Sequence, residues 1–248
     1  MNIIKNMLGR IIAVWAILLF VTTMLFFMIP FLIISTRPEP RRTRLFIATS
    51  RLWMAVFLPG IGCPLTIRGK EHFKKGENYI VVCNHNSLMD VPVSSPALPG
   101  GNKTIAKIEF TRVPLFGILY KMGSVLVDRK SEKSRKESFG KMKQVLEMGL
   151  HMCIYPEGTR NLTPEPLKAF HDGAFRLAAD TGKQILPALI FHTKQVLPVH
   201  KGFFLWPHPL KMDFLAPVTQ LPNETVAELK DRVFEIMRTY YLSEQGMV

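Results

Sequence analysis

The 248-residue sequence predicts an α/β fold, a largely parallel or mixed sheet flanked by helices, with an N-terminal membrane helix or two-helix membrane motif. Three observations carry this expectation. After Gly60, short apolar runs rich in β-branched residues alternate with amphipathic stretches, the pattern of a sheet covered by helices. Before it lies a charge-free run of 24 residues, 11–34. The composition, 48% hydrophobic and 21% charged, supports a folded core rather than disorder.

The N-terminal part, residues 1–60, reads as a membrane-anchoring segment. At about 1.5 Å per residue, the run IIAVWAILLFVTTMLFFMIPFLII can cross a hydrocarbon layer of roughly 30 Å. It is longer than the apolar part of a signal peptide, and no small-residue cleavage site follows, so it is expected to be retained. Lys5 and Arg10 precede it. Arg37, Arg41, Arg42, Arg44 and Arg51 follow, against Glu39 alone. The heavier basic flank should stay cytoplasmic, leaving the rest of the chain inside the cell. Pro30 and a second apolar stretch, 45–60, open an alternative: a helical hairpin lying in one leaflet, with its arginines reaching lipid phosphates.

Residues 61–248 read as a catalytic domain. Strands are expected at 79–83, 124–129, 151–156, 184–191 and 212–218. Helices are expected at 131–149, where Phe139, Met142, Val145 and Leu146 share a side, and at 223–241, with Asn223 or Thr225 as cap. Arg129 to Lys143 holds seven basic residues and two acids and reads as a solvated helix face. A net charge of +13 favours anionic partners, and the apolar run selects lipid headgroups over nucleic acid. Cys63, Cys83 and Cys153 are widely spaced and read as buried thiols in a reducing compartment; no metal site is expected.

In open parallel sheets, reactive residues gather at the carboxyl ends of strands. Two polar motifs stand there: NHNSLMD (84–90) after the 79–83 run, and PEGTRN (156–161) after the 151–155 run. Neutral imidazole takes protons near neutral pH, and a carboxylate on its other nitrogen fixes its tautomer. Residues five apart on a regular helix differ by about 140°. His85 must therefore sit at the strand-to-helix turn, with Asp90 reaching back from the first helical turn. Taken alone, the spacing also fits plain helix capping. The sequence has no GxSxG elbow, P-loop, HExxH or strand-following GxGxxG.

With its companions the motif becomes specific. NHNSLMD resembles the first block of the glycerolipid acyltransferases, the lysophosphatidic acid acyltransferase family with its HxxxxD signature. KIEFTRVPLFGILYKMGSVLVDR (107–129) resembles the second block through Lys107, Glu109, Pro114, Phe116, Gly117, Gly123, Asp128 and Arg129. YPEGTRN (155–161) is similar to the third and ILPALI (185–190) to the fourth. The resemblance implies a glycerol-3-phosphate acyltransferase-like fold. It also implies transfer of a fatty acyl chain from a coenzyme A or acyl-carrier-protein thioester to the free hydroxyl of 1-acylglycerol 3-phosphate, making phosphatidic acid for phospholipid synthesis. His85 would be the general base and Asp90 its orienting group, without a covalent acyl-enzyme or a cofactor. Glu157, Gly158, Thr159 and Arg160 would bind the acceptor, with Lys107 a second positive charge. Gly117 and Gly158 would let backbone N–H groups approach substrate.

One departure stands out. His171 and Asp172 lie where the family often has a basic residue before a GAFRLA-like helix. An acid there weakens the positive field of a phosphate site, so a zwitterionic lyso-ornithine or other aminolipid is the alternative acceptor. A membrane thioesterase or lipid hydrolase, and a non-catalytic lipid-binding protein, are the readings from other classes.

Overall fold

The computed structural model describes residues 3–246. Two helices, α1 (Ile3–Ser35) and α2 (Arg41–Gly60), form a hairpin. There follow β1 (Leu65–Arg68), β2 (Ile80–Cys83), α3 (Asp90–Ala97), β3 (Asn102–Lys107), α4 (Phe116–Gly123), β4 (Ser124–Val127), α5 (Glu132–Glu147) and β5 (His151–Ile154). The chain continues through α6 (Gly173–Thr181), β6 (Ile185–Phe191), α7 (Thr193–Val196), β7 (Leu210–Phe214) and α8 (Val226–Glu244). The seven strands form one sheet in the order β1-β7-β6-β2-β5-β3-β4. All neighbours are parallel except β6 and β7, so the sheet is mixed.

The two faces follow from alternation along the central strands. Tyr79, Val81 and Cys83 point to the core shared with α1–α4, while Ile80 and Val82 point to that under α5, α6 and α8. Strand β6 divides the same way, with Leu186, Ala188 and Ile190 opposite Ile185, Leu189 and Phe191. Every residue of β2, β5 and β6 is buried, as a sheet covered on both faces requires.

The structure departs from the expected elements at three strands. The last ends at Phe214, not 218; beyond Ala216-Pro217, Val218 makes only a bridge to Ile185. Strand β1 escapes the apolar pattern because it is an edge with alternating exposure. Strand β3 escapes it because buried Asn102, Lys103 and Thr104 look like loop residues. Each finds a partner: Asn102 bonds Ser95, Lys103 bonds Glu39 and Thr104 bonds Ser124. Helix α8 uses Thr225 as its cap, with Glu228 completing a capping box.

Helix α1 is long and apolar enough to cross a membrane, and only 17% of its most apolar 18-residue stretch is buried. It is nevertheless bound to the sheet domain near both ends. The Leu205 N–H donates to the Gly9 carbonyl at 3.0 Å, and Lys5 lies over the Trp206 ring. At the other end Phe31 packs on Phe46 of α2, within the hairpin, and the turn after α1 ties Glu39 to Lys103 of β3 at 2.8 Å. Burial pushes the Glu39 carboxyl up, but hydrogen bonds from Lys103, Thr43 and Arg42 outweigh it and hold the group down to about 2. Arg51 fastens α2 to the Pro96 and Leu98 carbonyls. One apolar core, with Phe31, Trp53 and Phe57 beside Tyr79 and Val81, runs across residue 60.

Candidate active site

Strands β2 and β5 are parallel neighbours with Val82 beside Ile154, so NHNSLMD and PEGTRN leave the sheet side by side. His85 stands in the turn after β2, and Asp90 opens α3. The His85 Nδ1 lies 2.8 Å from Asp90 Oδ2. The same carboxylate oxygen accepts the N–H groups of Asn86 at 2.5 Å and Ser87 at 2.7 Å. Asp90 is fully buried and the His85 side chain 20% exposed, so the imidazole is open to substrate while its partner is shielded. An ionised acceptor on Nδ1 keeps the proton on that nitrogen and leaves Nε2 as the free base.

Further contacts fix the His85 backbone. Its N–H donates to Glu157 Oε1 at 2.8 Å, and its carbonyl accepts the Asn161 N–H at 2.7 Å. Asn84 exchanges two hydrogen bonds with Ile190 at the end of β6. The Tyr155 ring packs on the imidazole at 4.6 Å, and its hydroxyl bonds Ser94. Burial pushes the Tyr155 phenol well up, which keeps it neutral.

The structure places the remaining site candidates unequally. Lys107 ends β3, two strands from β2 at the same sheet edge, and is exposed. The side chains of Lys107 and Arg160 have no hydrogen bond or ion pair among the described residues. Thr159 is exposed and accepts from Lys168 Nζ at 2.8 Å. Glu157 is fully buried and clamps two backbone N–H groups, those of His85 and Lys168. Burial pushes its carboxyl up to about 7.

The glycines need correcting. The Gly117 N–H donates to the Val113 carbonyl and the Gly158 N–H to the Tyr155 carbonyl, so neither is free for substrate. At Gly117 a Cβ would lie 2.2 Å from the Thr111 carbonyl oxygen. Gly158 adopts φ +70, packs on His171 and accepts from Arg129 Nη1 at 2.5 Å. Gly117 lies in the first turn of α4, close against Thr111, and Gly158 shapes its loop. The Asp172 concern also changes: the carboxylate pairs with Lys230 at 2.9 Å, which holds it below the usual range. Its charge is compensated before it can act on an anion.

Sequence patterns did not single out Tyr155, Asn161 or Lys168 individually, although the first two lie inside the third block. Nothing in the linear pattern distinguishes a lysine that faces the site from one that faces solvent.

The profile described as Acyltransferase matches residues 64–191, just over half of the chain and all four blocks. The chain belongs to the acyltransferase family. It is 32% identical over 165 residues to a 1-acyl-sn-glycerol-3-phosphate acyltransferase of Cocos nucifera, covering 64% of this chain and 51% of that one. A protein of the same description from Borreliella burgdorferi is 31% identical over 143 residues, 57% of this chain and 54% of that one. The chain thus spans about half the length of these curated relatives. The crystal structure of the 1-acyl-sn-glycerophosphate (LPA) acyltransferase of Thermotoga maritima superposes with a TM-score of 0.80 at 21% identity. That match covers 99% of this chain and 98% of that one, so the acyltransferase fold includes the helical hairpin.

Proposed function

We propose that this acyltransferase moves a fatty acyl chain from a coenzyme A or acyl-carrier-protein thioester to the free hydroxyl of 1-acylglycerol 3-phosphate. The observation that carries the reading is the His85–Asp90 pair, joined at 2.8 Å and open to solvent only on the imidazole side. His85 Nε2 takes the proton of the acceptor hydroxyl as its oxygen attacks the thioester carbonyl. Asp90 stabilises the resulting imidazolium. The tetrahedral intermediate collapses, the C–S bond breaks, and the thiolate receives the proton from His85. Glu157 holds His85 in place through the backbone, and Arg160 with Lys107 supplies positive charge to the acceptor phosphate.

The lipid acceptor is reached from a bilayer. Gly9, bonded to Leu205, and Ser35, at the turn that carries Glu39 to Lys103, are separated by about 39 Å of helix, enough to cross a hydrocarbon core. A spanning α1 would drag the attached domain through the membrane. The hairpin therefore lies in one leaflet, with the catalytic domain on the cytoplasmic side, where the thioester donors are soluble. Among the described residues beyond 60, nine large apolar side chains are exposed. Eight follow the carboxyl ends of β2, β3, β5 and β6: Leu88, Ile108, Phe110, Val113, Leu115, Leu162, Val199 and Phe203. They extend the apolar surface to the rim of the His85 site.

The test is a panel of lysolipid acceptors, phosphate-bearing and aminolipid, assayed against one acyl thioester. Acylation of 1-acylglycerol 3-phosphate above the aminolipids is expected. His85→Ala should lose about 10²–10⁴-fold in turnover while remaining folded. Release of free fatty acid without an acylated lysolipid would instead identify a hydrolase.

A further inference from the structure

We infer that Lys194, outside all four sequence blocks, is a specificity-determining residue that binds the phosphate of the acceptor. The inference rests on the acyl-transfer reading above and adds a third cation to Arg160 and Lys107.

The placement is built by hydrogen bonds that belong to the catalytic loop itself. Lys194 lies on α7, the single turn of helix that follows β6. Just before that turn, the Asn84 side chain bonds both the N–H and the carbonyl of Ile190, at 2.7 and 3.0 Å. Just after it, Ser87 Oγ donates to the Leu197 carbonyl at 3.1 Å. Asn84 and Ser87 flank His85 in sequence, so α7 is fastened to the dyad loop on both sides. Its lysine cannot drift far from His85 without breaking those bonds.

The side chain reaches towards the third block. Lys194 Nζ donates to the Thr163 carbonyl at 3.3 Å, a long bond. Thr163 is in turn held by Asn161 Oδ1, and the Asn161 N–H bonds the His85 carbonyl. The ammonium therefore stands over the segment that carries Arg160. It has no carboxylate partner within salt-bridge distance among the described residues. Burial lowers its pKa, against the opposing pull of the Glu157 and Asp90 carboxylates.

A half-buried lysine without an acid is an incomplete arrangement. Its ammonium lies beside the third block, at Thr163, where the reaction supplies a phosphate. An ammonium there is a compact point charge with three donors, suited to a phosphate monoester beside the forked guanidinium of Arg160. The donor thioester also carries phosphates, so the test separates the two substrates.

The wild-type chain, Lys194→Gln and Lys194→Arg are compared in detergent micelles by initial rates. 1-acylglycerol 3-phosphate is varied at fixed thioester, and the thioester is then varied at fixed acceptor. Loss of one charge-assisted contact predicts an acceptor KM raised about tenfold or more in Lys194→Gln, with kcat and the donor KM within about twofold. Lys194→Arg should restore most of the affinity, which a purely structural role for the Thr163 contact would not require. An unchanged acceptor KM, a raised donor KM or a fall in kcat alone overturns the inference while leaving the acyl-transfer reading intact. Wild-type protein that acylates no phosphate-bearing acceptor overturns both.

Discussion

Glu157→Gln isolates what a buried carboxylate costs at the centre of the site. Glu157 is fully buried, and its two oxygens hold the N–H groups of His85 and Lys168 at 2.8 and 3.1 Å. Those bonds favour the carboxylate, yet burial is the larger effect and raises the group from 4.5 to about 7. In the unfolded chain the side chain ionises near 4.5, whereas the folded protein keeps its proton until about 7. Between these values the folded state binds more protons, so this residue makes stability fall as pH rises. The difference of about 2.5 pH units corresponds to about 3 kcal/mol.

His151 produces the opposite slope over nearly the same range. Burial lowers it from 6.5 to about 4, so its contribution is present above 6.5 and lost as pH falls towards 4. The difference between wild type and Glu157→Gln must therefore be measured, since His151 cancels from it. Denaturant unfolding in micelles at intervals from pH 4.5 to 8 gives that difference. Relative to wild type, the variant should gain about 3 kcal/mol across the window, while a neutral amide holds His85 less well and turnover falls. Parallel pH profiles for the two proteins would refute the assignment of burial as the dominant effect on Glu157.

Other perturbations test separate parts of the structure. Glu39→Gln leaves Lys103, whose side chain is 9% exposed, without its acid, and should loosen the hairpin turn by about 1–3 kcal/mol. Faster proteolysis between α1 and α2 reads this out, and the wild-type advantage should vanish as pH falls from 4.5 towards 2. Gly117→Ala places a methyl against the Thr111 carbonyl and should cost about 1–3 kcal/mol in thermal unfolding. A melting point equal to wild type would show that the 108–116 loop yields freely. Replacing Phe110 and Leu115 with serine should weaken binding to anionic vesicles in co-sedimentation while sparing turnover of micellar substrate.

Much of the α/β core was legible because β2, β5 and β6 are buried on both faces, and such strands must be apolar throughout. Strand β3 was not, since its polar residues are satisfied by Ser95, Glu39 and Ser124 from other elements. His85, Asp90 and the PEGTRN segment were legible as residue types at fixed spacing following predicted strands. The roles of Gly117, Gly158 and Glu157 were not, because the same residues serve either a ligand or their own local structure. Only the hydrogen bonds made by each backbone N–H and carboxylate oxygen distinguish the two.

By itself the sequence determined that a long apolar segment precedes an α/β domain, and that a histidine and an aspartate five residues apart follow a buried strand. Local spacing and hydropathy suffice for that, since both act between near neighbours in the chain. Tertiary structure decided which groups meet. It tied α1 to the domain through Gly9 and Leu205 and the following turn through Glu39 and Lys103, paired Asp172 with Lys230, and brought Lys194 to the dyad loop through Asn84 and Ser87. These contacts join residues tens to more than a hundred positions apart, and only the packing of the sheet fixes their distances.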